Sequence, residues 1–129
     1  MKKTKKLAES EVDIMNAVWA AKGRITVRET LETLYPNGEK AYTTVQTIMN
    51  ILVEKGFLKK QKIGMVNFYT AKVRREHAVK NETQSLVSRI FHGSFGALAT
   101  HLIKSGELSQ AELKKLKQLI DEQQDNGAA

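Results

Sequence analysis

The sequence predicts a mainly α-helical chain carrying one small β-hairpin, and three observations support this. Apolar residues recur at helical spacing along six stretches. One segment near the middle, Leu58–Lys62 with Val66–Ala71, instead has strand character around a turn at Ile63-Gly64. Capping and breaking residues stand where the periodicities begin and end.

The first helix takes its apolar series from Val12, Ile14, Met15, Val18 and Trp19 and closes at Gly23, with Glu9, Glu11 and Asp13 complementing its N-terminal dipole. Thr26-Val-Arg-Glu29 reads as a capping box, opening a short helix through Leu31 and Leu34 that ends at Tyr35-Pro36-Asn37-Gly38. A third helix, Tyr42–Lys55, sets Val45, Ile48, Met49, Leu52 and Val53 on its buried side, with Gly56 as its left-handed terminator. In the hairpin that follows, Phe68 and Tyr69 are adjacent, so a regular strand cannot turn both inward. Helix, helix, helix and hairpin in this order is the winged helix-turn-helix arrangement, a DNA-reading motif.

The remainder reads as helical. Arg75–Phe91 carries Val79, Leu86, Val87, Ile90 and Phe91; a short helix after His92-Gly93-Ser94 carries Phe95, Leu98, Ala99, Leu102 and Ile103. Ser109-Gln-Ala-Glu112 is a second capping box, starting a helix with Leu113, Leu116, Leu119 and Ile120. Three short helices cannot enclose this much apolar surface alone, so the sequence predicts self-association through Val79, Leu86, Ile90, Phe95, Leu98, Leu102, Leu113, Leu116 and Ile120, the alternative being that they fold back onto the first domain as one compact monomer. The expected organisation is a flexible basic arm over 1–6, a winged-helix DNA-binding domain over 7–72, a helical dimerisation region over 73–123 and a disordered tail over 124–129.

Charge distinguishes the two halves. The 129 residues carry a formal charge of +7, yet residues 1–72 hold 13 basic and 7 acidic side chains, whereas residues 73–129 hold 8 and 7. A polyanionic partner for the first half accounts for that asymmetry. There is no cysteine, which excludes disulfides, thiolate metal sites and cysteine nucleophiles. No apolar run suits a bilayer span and no secretory leader is read at the N-terminus, so the expected location is cytoplasmic, without membrane insertion. His77, His92 and His101 lack metal-ligand spacing, and no nucleophile elbow or phosphate loop is present, so no enzyme activity, metal or cofactor is predicted.

In a helix-turn-helix the second helix of the motif enters the major groove. Here its outer side offers Thr43, Thr44, Gln46, Thr47 and Asn50, which are polar and uncharged. Gln and Asn can pair bidentately with adenine, and Thr offers a hydroxyl and a methyl, so the predicted readout falls largely on A·T pairs. Tyr42, Lys59, Lys60 and Lys62 are predicted to reach the backbone of double-stranded operator DNA, with Lys55 and the arm lysines adding charge. The uncharged face also admits a second reading, a winged-helix protein-interaction module without duplex-DNA binding; the lysine-rich hairpin and arm oppose it.

The stretch from Leu7 to Ile120 resembles the penicillinase-repressor family, of the BlaI, MecI and CopY type. The resemblance rests on LAESEVDIMNAVW, YTTVQTIMNILVEKGFL, the hairpin ending NFYTA, and GELSQAELKKLKQLI. It implies a homodimeric transcriptional repressor of a resistance or stress operon, with base contacts from Thr43, Gln46 and Thr47, flanking positions Tyr42 and Thr44, and a phosphate contact from Lys62. In the β-lactam branch a membrane sensor/protease system leads to cleavage of an Asn-Phe bond; the corresponding pair here is His101-Leu102. The copper branch binds metal through C-terminal cysteines, which these residues lack.

Overall fold

A computed structural model describes residues 6–127, so Lys2, Lys3 and Lys5 of the basic arm and the last two residues lie outside the described residues. The elements run α1 (Glu9–Ala21), α2 (Val27–Leu34), α3 (Tyr42–Lys55), β1 (Leu58–Ile63), β2 (Val66–Ala71), α4 (Arg75–Ile90), α5 (Phe95–Lys104) and α6 (Gln110–Gly127). They fall into two compact units, one ending at Glu82 and the other beginning at Thr83.

In the first unit the helical stripes of α1 and α3 meet the base of the hairpin. Ile14, Met15 and Val18 of α1 pack with Val45, Met49 and Leu52 of α3, together with Phe57, Leu58 and Tyr69. Removing each such side chain from water contributes about 1.5–3 kcal/mol. The α2 helix is held by the predicted capping box: the Glu29 N–H donates to Thr26 Oγ1 and the Thr26 N–H to Glu29 Oε1, each at 3.0 Å. Its buried residues are Val27 and Thr30, while Leu31 and Leu34 are half-buried. Thr30 tolerates burial because its hydroxyl donates to the Thr26 carbonyl at 2.8 Å.

Gly56, at φ 88°, closes α3, and the Phe57 N–H donates back to the Leu52 carbonyl at 2.9 Å, so Phe57 turns into the core. The strands pair antiparallel from Leu58 opposite Ala71 to Ile63 opposite Val66, leaving Gly64-Met65 as the turn. Ile63, expected in the turn, therefore belongs to β1. Pleating resolves the Phe68-Tyr69 conflict. Tyr69 is fully buried, while Phe68 points to the opposite face beneath the Arg24 guanidinium, 4.5 Å from its ring centroid. Ile25 adds a third extended segment through paired backbone bonds with Tyr69 at 2.9 and 2.8 Å.

The first unit extends past Lys72, where sequence analysis ended the winged helix. Trp19 Nε1 donates to the Val73 carbonyl at 2.9 Å, and Ala78, on the first part of α4, is buried. In the second unit α4 ends with His92 and Gly93 at φ 52° and 83°, the Gly93 N–H returning to the Val87 carbonyl at 3.0 Å. Ser94 caps α5, accepting from the Ala97 N–H at 3.0 Å. The Ser109–Glu112 box forms at the start of α6, with bonds of 2.9 and 3.1 Å. That helix continues to Gly127, so residues 124–127 extend its regular hydrogen bonding, although sequence analysis assigned them to a disordered tail.

Candidate nucleic-acid interface

Burial of one side of α3 fixes what its other side presents. With Val45, Met49 and Leu52 fully buried, Thr43, Thr44 and Thr47 stand exposed and Gln46 half-exposed. Tyr42 sits at the helix start, 39% exposed. The N-terminus of α3 differs from those of α2, α5 and α6, each of which has a serine or threonine accepting from its first turn. Ala41 offers no side-chain acceptor, and the first turn of α3 holds no acidic residue. Its leading N–H groups and the positive end of its dipole are left for an external acceptor.

Asn50 departs from the sequence expectation. Its Oδ1 accepts from the Tyr69 hydroxyl at 3.0 Å and from Lys60 Nζ at 3.2 Å, which occupies both lone pairs. Bidentate pairing with adenine needs that oxygen, so Asn50 serves here to tie α3 to the hairpin and keeps only its Nδ2 for an outside partner. Burial, and to a lesser degree the neighbouring Tyr42, raises the Tyr69 phenol above its ordinary pKa, keeping it a neutral donor to this bond.

The hairpin lysines do not form one cluster. Lys60 lies opposite Tyr69 and Lys62 opposite Asn67, so both share the face turned to α3; Lys59, opposite Thr70, shares the other face with Phe68. Lys55 is engaged elsewhere. Its Nζ donates to Glu11 Oε1 and Oε2 at 2.7 and 3.0 Å and to the Lys6 carbonyl at 3.1 Å, while the Ala8 N–H donates to Glu11 Oε1 at 2.7 Å. Glu11 is thus a buried ion-pair partner as well as an N-terminal acid. Burial by itself pushes its carboxyl upward, but Lys55 and the Ala8 N–H outweigh that and hold it below the usual range.

Sequence reasoning missed Arg28. This α2 residue places its guanidinium 5.2 Å from the Tyr42 ring centroid, bringing a permanent cation to the start of α3, whose own first turns carry no charge. The signal was its place on the exposed side of the first helix of the motif. At the hairpin tip, Met65 is 91% exposed, between the partly exposed Ile63 and Val66.

The residues expected at a self-association surface are exposed to different degrees. No residue of α5 or α6 is buried. Val79, Ile90, Phe95, Leu102 and Ile120 are 45–57% exposed, and Leu86, Leu98, Leu113 and Leu116 are half-buried. His101 and Leu102 both lie within α5 and are exposed, the His101 ring 5.9 Å from that of Phe91. Among the described residues no helix is long and apolar enough to cross a membrane, and no group of three His, Asp or Glu side chains could hold a metal ion.

A family profile described as penicillinase repressor matches residues 7–122. An uncharacterized 16.5 kDa protein from the ptsI 3' region of Latilactobacillus sakei is 34% identical over 117 residues, covering 91% of this chain and 80% of that protein. The penicillinase repressor of Bacillus licheniformis is 25% identical over 122 residues, covering 95% and 94% of the two chains. The solution structure of the DNA-binding domain of the repressor BlaI superposes with a TM-score of 0.51 at 27% identity, covering 60% of this chain and 93% of that domain. The first unit has the winged-helix fold of that domain.

Proposed function

The chain belongs to the penicillinase-repressor family, and from that membership we propose that it is a homodimeric transcriptional repressor whose two copies of α3 enter successive major grooves of a palindromic operator. It is a DNA-binding regulator and not an enzyme, as its family is. The observation that carries the reading is the outer side of α3: exposed Thr43, Thr44 and Thr47 with Gln46, an N-terminus free of acid, and Arg28 beside Tyr42. Gln46 is assigned to an adenine edge, and the threonines to thymine methyls and base edges. Tyr42, Arg28, Lys60 and Lys62 approach phosphates on the α3 side of the hairpin; Lys59 reaches backbone from its other face.

The open apolar sides of α5 and α6, with exposed Ile90 at the end of α4, support self-association, and a two-fold dimer is what a two-fold operator requires. The protein acts in the cytoplasm, on a resistance or stress operon. If a membrane sensor/protease system relieves repression, its target at His101-Leu102 lies inside a helix, and cleavage requires α5 to open locally.

Binding titrations against a matched operator and against random duplex test the reading. Gln46→Ala should lose about 1–3 kcal/mol of discrimination at one base pair of each half-site. Lys62→Ala should weaken both duplexes alike and lower the salt slope by about one. Unchanged specificity in Gln46→Ala would remove α3 from the groove. Salt-insensitive behaviour with no duplex affinity would favour the protein-interaction reading.

A further inference from the structure

The first unit carries an open cleft of about 610 Å³, and none of its lining residues belongs to the proposed DNA-reading set. It is lined at the end of α1 by Trp19 and Lys22, and after β2 by Lys72, Arg74, Arg75 and Glu76. The neighbouring Ala71 pairs with Leu58 at the base of the hairpin, the end of the ladder opposite the Gly64-Met65 tip. Its volume falls within the ~300–1,000 Å³ of small-molecule sites.

We propose that this cleft binds a small aromatic carboxylate. Four cations and a single carboxylate line it, so the site has an excess of positive charge. Among the described residues none of the four cations takes part in an ion pair or a side-chain hydrogen bond. Like charges gathered without partners repel one another, and an anion relieves that repulsion while accepting forked hydrogen bonds from an arginine. Trp19 supplies the aromatic half of the recognition. Its Nε1–H is already given to the Val73 carbonyl at 2.9 Å, which fixes the indole and leaves it to offer the cleft an apolar ring surface. Ring on indole and carboxylate on the basic rim together define the ligand class.

Trp19 is the single tryptophan of the chain, so its indole N–H gives one resolved cross-peak in a ¹H–¹⁵N spectrum of the full protein without DNA. Titration with benzoate should move that peak saturably. Benzamide, which lacks the charge, and cyclohexanecarboxylate, which lacks the ring, should bind at least about tenfold more weakly. Lys72→Gln and Arg75→Gln should each weaken benzoate by about tenfold, the loss of one charged hydrogen bond, with operator affinity unchanged. Equal binding of benzamide, an equal response to inorganic phosphate, or full benzoate affinity in both variants would overturn the proposal. So would a loss of operator affinity with benzoate binding intact, since the rim would then belong to the duplex. Failure of the α3 assignment leaves this experiment untouched, because it is read without DNA.

Discussion

In the first unit, α1, α3 and the hairpin turn their apolar residues onto one another, and eight large side chains there, from Ile14 to Tyr69, are at most 1% exposed. In the second, α5 and α6 repeat apolar residues at the same helical spacing and bury none of them. Periodicity is therefore a statement about which side of a helix avoids water, not about what covers it. The first unit meets that demand within itself, whereas α5 and α6 do not, and the proposed dimer would answer it with a second copy of the chain.

Paired substitutions sharpen the contrast. Leu52→Ala removes a fully buried side chain from the first core and should cost about 2–5 kcal/mol in denaturant unfolding, independent of protein concentration. Leu102→Glu, on an exposed position of α5, should leave the first unit's unfolding unchanged yet weaken self-association by at least about tenfold in sedimentation equilibrium, as an uncompensated charge in an apolar contact requires. If Leu102→Glu left the oligomeric state unaltered, α5 would have no part in pairing.

A smaller effect is expected from Glu11→Gln. The folded-state pKa of Glu11 lies below its unfolded value, so the stability it contributes with Lys55 is fully present above the unfolded pKa of about 4.3. That contribution is lost as pH falls through the lower folded value. Wild-type protein should lose stability on acidification into this range, and Glu11→Gln should show a shallower fall. Matching acid profiles would mean that the pair adds nothing to stability.

Much of this was legible in the sequence, for reasons particular residues make plain. The capping boxes at Thr26 and Ser109 formed because hydroxyl and carboxylate three residues apart can satisfy the same helix start, a local geometry that needs no tertiary knowledge. The side of α3 facing outward followed from its buried stripe. What sequence could not give were contacts across elements. Asn50 looked like a free amide until Tyr69 and Lys60 reached it from the hairpin; Lys55 looked like a phosphate ligand until Glu11, far earlier in the chain, claimed it. The Arg28–Tyr42 contact was hidden in the same way. Strand alternation alone could have separated Lys59 from Lys60 and Lys62, since it depends only on register.

The most direct test of two winged helices reading one dyad is hydroxyl-radical footprinting on the DNA upstream of the protein's own coding sequence. Two equivalent protected half-sites, their centres one helical turn (about 10 base pairs) or a whole multiple of it apart, are expected for a pair of α3 helices held by the second unit. A single unsymmetric footprint, or protection that survives when Thr43, Gln46 and Thr47 are all replaced by alanine, would contradict it.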